Sequence, residues 1–143
     1  MSADRVLLID DEVEFVDALA ERLRTRGLSV ETANSGEEGI EKVKASTYHA
    51  VVLDFAMPGM DGIETLKAIR EKKPDLQIML LTGQATIKAA VEATRLGAVD
   101  VLEKPTDIAT LMEKIRDARA RYFESREKRS EEQVRDILEE RGW

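Results

Sequence analysis

Short apolar runs, most of them rich in β-branched residues, alternate with longer stretches of helical period from the start of the chain to about residue 123. The runs cover residues 6–9, 29–32, 50–53, 77–81 and 98–102. The first, third and fourth are apolar on both faces, as central parallel strands are, whereas the second alternates as an edge strand does. Between the runs, Phe15, Leu19 and Leu23 mark a first helix closed by Gly27. Ser35 with Glu38, and Asp61 with Glu64, have the spacing of capping boxes ahead of the second and third helices. Pro74 stops the third, Gly97 stops the fourth, and Ile108, Leu111, Met112 and Ile115 carry the fifth.

Strict alternation of strand and helix with short connections predicts a parallel sheet covered by helices, because each parallel crossover must pass over a face of the sheet. The chain therefore reads as a doubly wound α/β domain over residues 1–123. After Phe123 the pattern changes: of the 20 residues from Glu124 to Trp143, 12 are charged and only Val134, Ile137, Leu138 and Trp143 are large and apolar. This predicts a charged helical extension over 124–143, outside the core and too short for a further folded domain. Ser130 and Gln133 have the spacing to open a fresh helix there, and a continuous extension of the fifth helix fits nearly as well.

Composition narrows the chemistry. The chain has 143 residues, no cysteine and one histidine, His49, which excludes disulfides, thiolate zinc sites, cysteine nucleophiles and histidine metal clusters. His49 precedes the third strand, away from the strand ends, and reads as a surface or capping residue. Twenty-nine acidic against 22 basic residues give a net charge of −7, which argues against direct nucleic-acid binding. With neither a long apolar segment nor a secretory signal, the expected location is the cytoplasm, with no membrane contact.

In an open α/β sheet ligands bind beyond the carboxyl ends of the strands. Asp10 and Asp11, followed by Glu12, come straight after the first strand, Asp54 closes the third, Thr82 the fourth, and Lys104 follows the fifth. Neighbouring strands lie roughly 5 Å apart, so Asp10, Asp11 and Asp54 would share one pocket. Two like charges at about 4 Å repel by about 4 kcal/mol at an effective dielectric near 20, so the cluster calls for a cation. All-oxygen donors with open positions suit Mg²⁺. A metal on one side of Asp54, Lys104 on the other and the Thr82 hydroxyl nearby would complement a phosphoryl group, with Asp54 as the nucleophile that forms an acyl phosphate. Gly83 reads equally as a turn glycine and as space left for an incoming group.

Leu8-Ile9-Asp10-Asp11-Glu12, the nine residues from Asp54 to Gly62, Leu81-Thr82-Gly83, and Gly97-Ala98-Val99-Asp100 leading to Lys104-Pro105 resemble, in order and at matching spacing, the receiver domain of bacterial two-component response regulators. The resemblance spans roughly residues 4 to 122. It implies a flavodoxin-like strand order 2-1-3-4-5 with five flanking helices. It also implies that Asp54 is the phosphoacceptor and that Asp11, Asp54 and the backbone carbonyl of Ala56 ligate Mg²⁺, with Asp10 holding metal waters. By the same resemblance Lys104 pairs with the phosphoryl group, Thr82 is the switch hydroxyl, and the Lys104–Pro105 peptide is cis. The resemblance also places Ala56 and Gln84 at positions that in this family tune water access to the acyl phosphate. Val101 departs from the pattern, since many receivers carry an aromatic toggle there.

The implied partners are a sensor histidine kinase or phosphotransfer protein as donor and a downstream protein as target, with room for a homodimer. Alternatives are a receiver fragment of a larger transcriptional regulator and a receiver-fold dimerisation module that is never phosphorylated. A Mg²⁺-dependent phosphohydrolase fits less well, because its Asp-x-Asp nucleophile would follow the first strand, where Asp10-Asp11-Glu12 stands.

Overall fold

The computed structural model describes residues 4–55, 61–83, 87–104 and 106–142. Ala56, Met57, Met60, Gln84, the Lys104–Pro105 peptide and Trp143 lie outside them. Five strands, β1 (Arg5–Ile9), β2 (Ser29–Ala33), β3 (Ala50–Leu53), β4 (Gln77–Thr82) and β5 (Asp100–Glu103), alternate with five helices. The helices are α1 (Val13–Thr25), α2 (Gly36–Ala45), α3 (Gly62–Lys72), α4 (Ile87–Arg95) and α5 (Ile108–Glu140). All strand pairs are parallel and the sheet order is β2-β1-β3-β4-β5, the expected one.

The apolar runs of β1, β3 and β4 are buried on both faces because two cores flank the sheet. Leu7, Ile9, Val51, Leu53, Ile78 and Leu80 point to a core closed by α2, α3 and α4 through Ile40, Val43, Leu66, Ile69 and Ala93. Their neighbours Val6, Leu8, Val52, Met79 and Leu81 point the other way, onto Val16, Ala20 and Leu23 of α1 and Leu111, Met112, Ile115 and Ala118 of α5. The period-2 alternation of the strands thus feeds both layers.

Local signals operate as their chemistry requires. Ser35 Oγ accepts from the Glu38 N–H at 3.1 Å and Asp61 Oδ1 from the Glu64 N–H at 2.9 Å, capping α2 and α3. The Glu38 carboxylate reaches back one residue further than a capping box needs, accepting from the Asn34 N–H at 2.8 Å. Gly97, at φ +103°, turns the chain out of α4. Its neighbour Ala98 donates to the Ala93 carbonyl, so the strand begins at Asp100 rather than at residue 98.

Ser130 does not open a new helix; α5 runs unbroken through it. A contact that sequence alone did not suggest holds the helix as it leaves the core. Asp75 Oδ1, in the α3–β4 connection, accepts from Ser125 Oγ at 2.6 Å and from Arg129 Nε at 3.1 Å. His49 is half-buried rather than on the surface. Its Nδ1 accepts from the Arg5 N–H at 3.0 Å, capping the start of β1, and its ring packs 5.3 and 5.2 Å from Tyr122 and Phe123.

Candidate functional site

The register of the sheet brings the strand ends together. Ile9 pairs with Leu53, so Asp10 and Asp54 leave adjacent strands side by side, and the Asp54 N–H donates to the Ile9 carbonyl at 2.8 Å. Thr82 pairs with Glu103 at the ends of β4 and β5, and the Lys104 N–H donates to the Thr82 carbonyl at 2.8 Å. Asp10, Asp54 and Thr82 are 4%, 5% and 2% exposed, although each is polar.

Asp10, Glu12 and Asp54 each place a carboxylate oxygen within 4.8 Å of the others. The turn after β1 orients the first of them: Asp10 Oδ1 accepts from the Glu12 N–H at 2.8 Å, which leaves Oδ2 for Lys104. Lys104 Nζ lies 2.7 Å from Asp10 Oδ2, 2.9 Å from Glu12 Oε1 and 3.8 Å from Asp54 Oδ2. Burial alone would push the Lys104 ammonium down. The hydrogen bonds to Asp10 and Glu12, with the charges of Asp10 and Asp54, outweigh it and hold the group above its ordinary range. The ammonium itself sits over the face of Phe15, with Nζ 4.4 Å from the ring centroid.

One ammonium against three carboxylates leaves the trio two negative charges in excess. Hard, anionic oxygen donors in such a group are the donor set that a divalent cation of the Mg²⁺ kind takes. Asp11, half-exposed at the same turn, is not in this trio, and Glu12, exposed at its rim, is. The sequence signal for Glu12 was its place in the Asp10-Asp11-Glu12 run. Nothing in the sequence singled out Phe15 beyond its helical spacing.

A separate cavity of about 260 Å³ lies at the opposite edge of the sheet, beside Tyr48, Pro74, Asp75, Tyr122 and Arg126. It shares no residue with the acid cluster. His49 belongs to that far edge as well, remote from Asp54. Among the described residues, no helix is long and apolar enough to cross a membrane.

Acidic residues, a threonine and a lysine thus stand at the carboxyl edge of a doubly wound parallel sheet, and this fold and site define the class of α/β domain to which the chain is compared. Residues 6–116 match the response regulator receiver domain, and the chain belongs to that family. It is 36% identical over 115 residues to the transcriptional regulatory protein ZraR of Escherichia coli K12, a match covering 80% of this chain and 26% of ZraR. The chain spans from about a quarter to under two thirds of the length of the curated relatives it matches. Among solved structures, a CheY-like receiver domain from Methanospirillum hungatei superposes with a TM-score of 0.82 at 27% identity, covering 87% of this chain and 99% of that one. A response regulator of Burkholderia pseudomallei with a phosphorylated aspartic acid, a calcium ion and citrate covers 97% of this chain and is itself covered to 86%, with a TM-score of 0.75 and 25% identity.

Proposed function

We propose that this chain is a signalling phosphoacceptor: Asp54 takes a phosphoryl group from the phosphohistidine of a sensor kinase or phosphotransfer protein, and the resulting change of surface controls a protein partner or dimerisation. The observation that carries this is the buried Asp54 carboxylate standing beside Asp10 with Lys104 Nζ at 3.8 Å. An Asp54 oxygen attacks phosphorus as the P–N bond breaks, and the imidazole leaves with the electron pair and takes up a proton. Lys104 offers an ammonium to the transferred oxygens, and Thr82, tied to it through the backbone, offers a hydroxyl. Asp10, Asp11 and Asp54, with the carbonyl of Ala56, are the proposed Mg²⁺ set, and Glu12 extends it. When bound, the ion would neutralise charge on the phosphoryl oxygens.

Within this reading residues 1–123 form the receiver and 124–143 the extension. The name and length of ZraR favour a second arrangement, in which these residues are the receiver part of a longer transcriptional regulator. DNA contact would then belong outside the 143 residues, since the net charge of −7 does not suit this domain to phosphate backbones.

Incubation with Mg²⁺ and acetyl phosphate, followed by intact-mass measurement, tests the proposal. Wild type is expected to gain one phosphoryl group and Asp54→Asn none. No gain in wild type, or an equal gain in the variant, rejects Asp54 as the acceptor. Turnover of generic phosphate esters would point to a hydrolase instead.

A further inference from the structure

The distal part of α5 carries an apolar stripe that the fold does not cover. Val134, Ile137 and Leu138 are 54%, 50% and 38% exposed, and their three- and four-residue spacing puts them on one face. The Asp75 contact decides where that face looks. Ser125 and Arg129 turn toward the body of the domain, and nine residues at about 100° each place Val134 about half a turn round from Ser125. The stripe therefore faces away from the domain's own core.

An open groove lined by Glu127, Ser130, Glu131, Val134, Arg135 and Leu138 runs along this face. Helical spacing sets Glu131 and Arg135 on one edge of the stripe and Arg126 and Glu140 on the other, so each edge carries both signs. A surface of one charge sign would meet repulsion at both edges. A second copy of the same helix does not. Laid antiparallel, Glu131 of one copy meets Arg135 of the second; laid parallel, Arg135 meets Glu140 of the second.

We propose that the Val134–Ile137–Leu138 stripe pairs with the same stripe of a second copy. Three large apolar side chains per copy make an interface at the small end of specific contacts, so the association is weak and concentration-dependent. It does not rest on the chemistry at Asp54, and its test uses the unphosphorylated full chain.

Sedimentation velocity over a concentration series is expected to show a mass rising toward twice that of the monomer. Ile137→Asp and Leu138→Asp should remain monomeric with unchanged helical circular dichroism. Because the chain has no cysteine, Val134→Cys supplies a second readout. Mild oxidation should cross-link it at least severalfold faster than Glu132→Cys, which helical spacing places on the far face of α5. A chain that stays monomeric at every concentration, equal cross-linking of the two cysteine variants, or self-association unchanged by Ile137→Asp and Leu138→Asp would each overturn the proposal.

Discussion

Lys104 Nζ stands 2.7 Å from Asp10 Oδ2 but 3.8 Å from Asp54 Oδ2. The ammonium is thus hydrogen-bonded to the neighbouring acid and stands within ion-pair range of Asp54. Asp10 holds the lysine within reach of the carboxylate proposed to react.

Replacing Lys104 by Met removes the positive charge from this group and leaves three carboxylates together. Mg²⁺ binding, followed by titration calorimetry, is expected to tighten at least severalfold, because a cation is no longer repelled from the site. Phosphorylation by acetyl phosphate should slow by about a hundredfold, the typical effect of removing one donor to developing charge. Weaker Mg²⁺ binding in Lys104→Met would contradict the electrostatic reading.

Gly62, the first residue of α3, sits against the end of β3. A Cβ there would lie 2.6 Å from Phe55 Cα and 2.8 Å from the Asp54 carbonyl oxygen. Both are backbone atoms, so α3 or the strand end must shift. Gly62→Ala is expected to lower stability in urea by about 1–3 kcal/mol and to slow phosphorylation of Asp54. At Gly83 a Cβ meets nothing within 4 Å among the described residues, and Gly83→Ala should change stability by no more than about 0.5 kcal/mol.

The contrast between these two glycines marks how far the sequence alone specifies the site. The parallel sheet and the gathering of Asp10, Asp54, Thr82 and Lys104 at strand ends were legible, because hydrophobic period and strand-end position are local properties that a parallel sheet turns into proximity, whereas the strand order came from the resemblance to receiver domains. The tight approach at Gly62 was not, since it depends on how close α3 comes to Phe55. The Phe15 cover over Lys104 and the Asp75 contact to Ser125 and Arg129 join residues far apart in sequence with no periodic signal. Ser130 illustrates the reverse: a cap-like spacing has no effect where the preceding helix is already anchored at Arg129.

Asp75→Asn tests that anchor. Burial favours protonation of Asp75, but its hydrogen bonds from Ser125 and Arg129 and the charges of Arg129 and Arg126 prevail and hold the carboxyl below its ordinary range. The substitution removes the charge that Arg129 meets and is expected to speed amide exchange in residues 125–140. Protection of the central strands should be unaffected. Unchanged exchange in the distal helix would show that the contact carries no weight.

Two groups at the far edge of the sheet predict opposite pH limbs. Burial, then the hydrogen bond to Glu31 and that residue's charge, push Tyr48 from 10.0 up to about 12, against the opposing effects of Arg5 and Ser46. The folded state thus holds this proton more tightly than the unfolded chain, and the associated stability is lost as pH rises from 10.0 toward about 12. His49 is lowered from 6.5, chiefly by burial and also by Arg119 and Arg5, with Asp4 opposing. The folded state prefers it neutral, so stability declines as pH falls below 6.5. Denaturation across pH should show the alkaline limb flattened in Tyr48→Phe and the acid limb flattened in His49→Asn, whose Oδ1 can still accept the Arg5 N–H. As the chain's single histidine, His49 can be followed directly by NMR.

The unbroken course of α5 has a mechanical consequence. Its first turns are packed under the sheet through Leu111 and Ile115, and past the anchor at Arg129 the same rod continues 11 residues to Glu140, about 16 Å at 1.5 Å per residue. A tilt of only about 5° at the anchored base would carry the tip through about 1.4 Å, so the helix would act as a lever arm that enlarges a small shift in the domain into a displacement a neighbouring molecule can register.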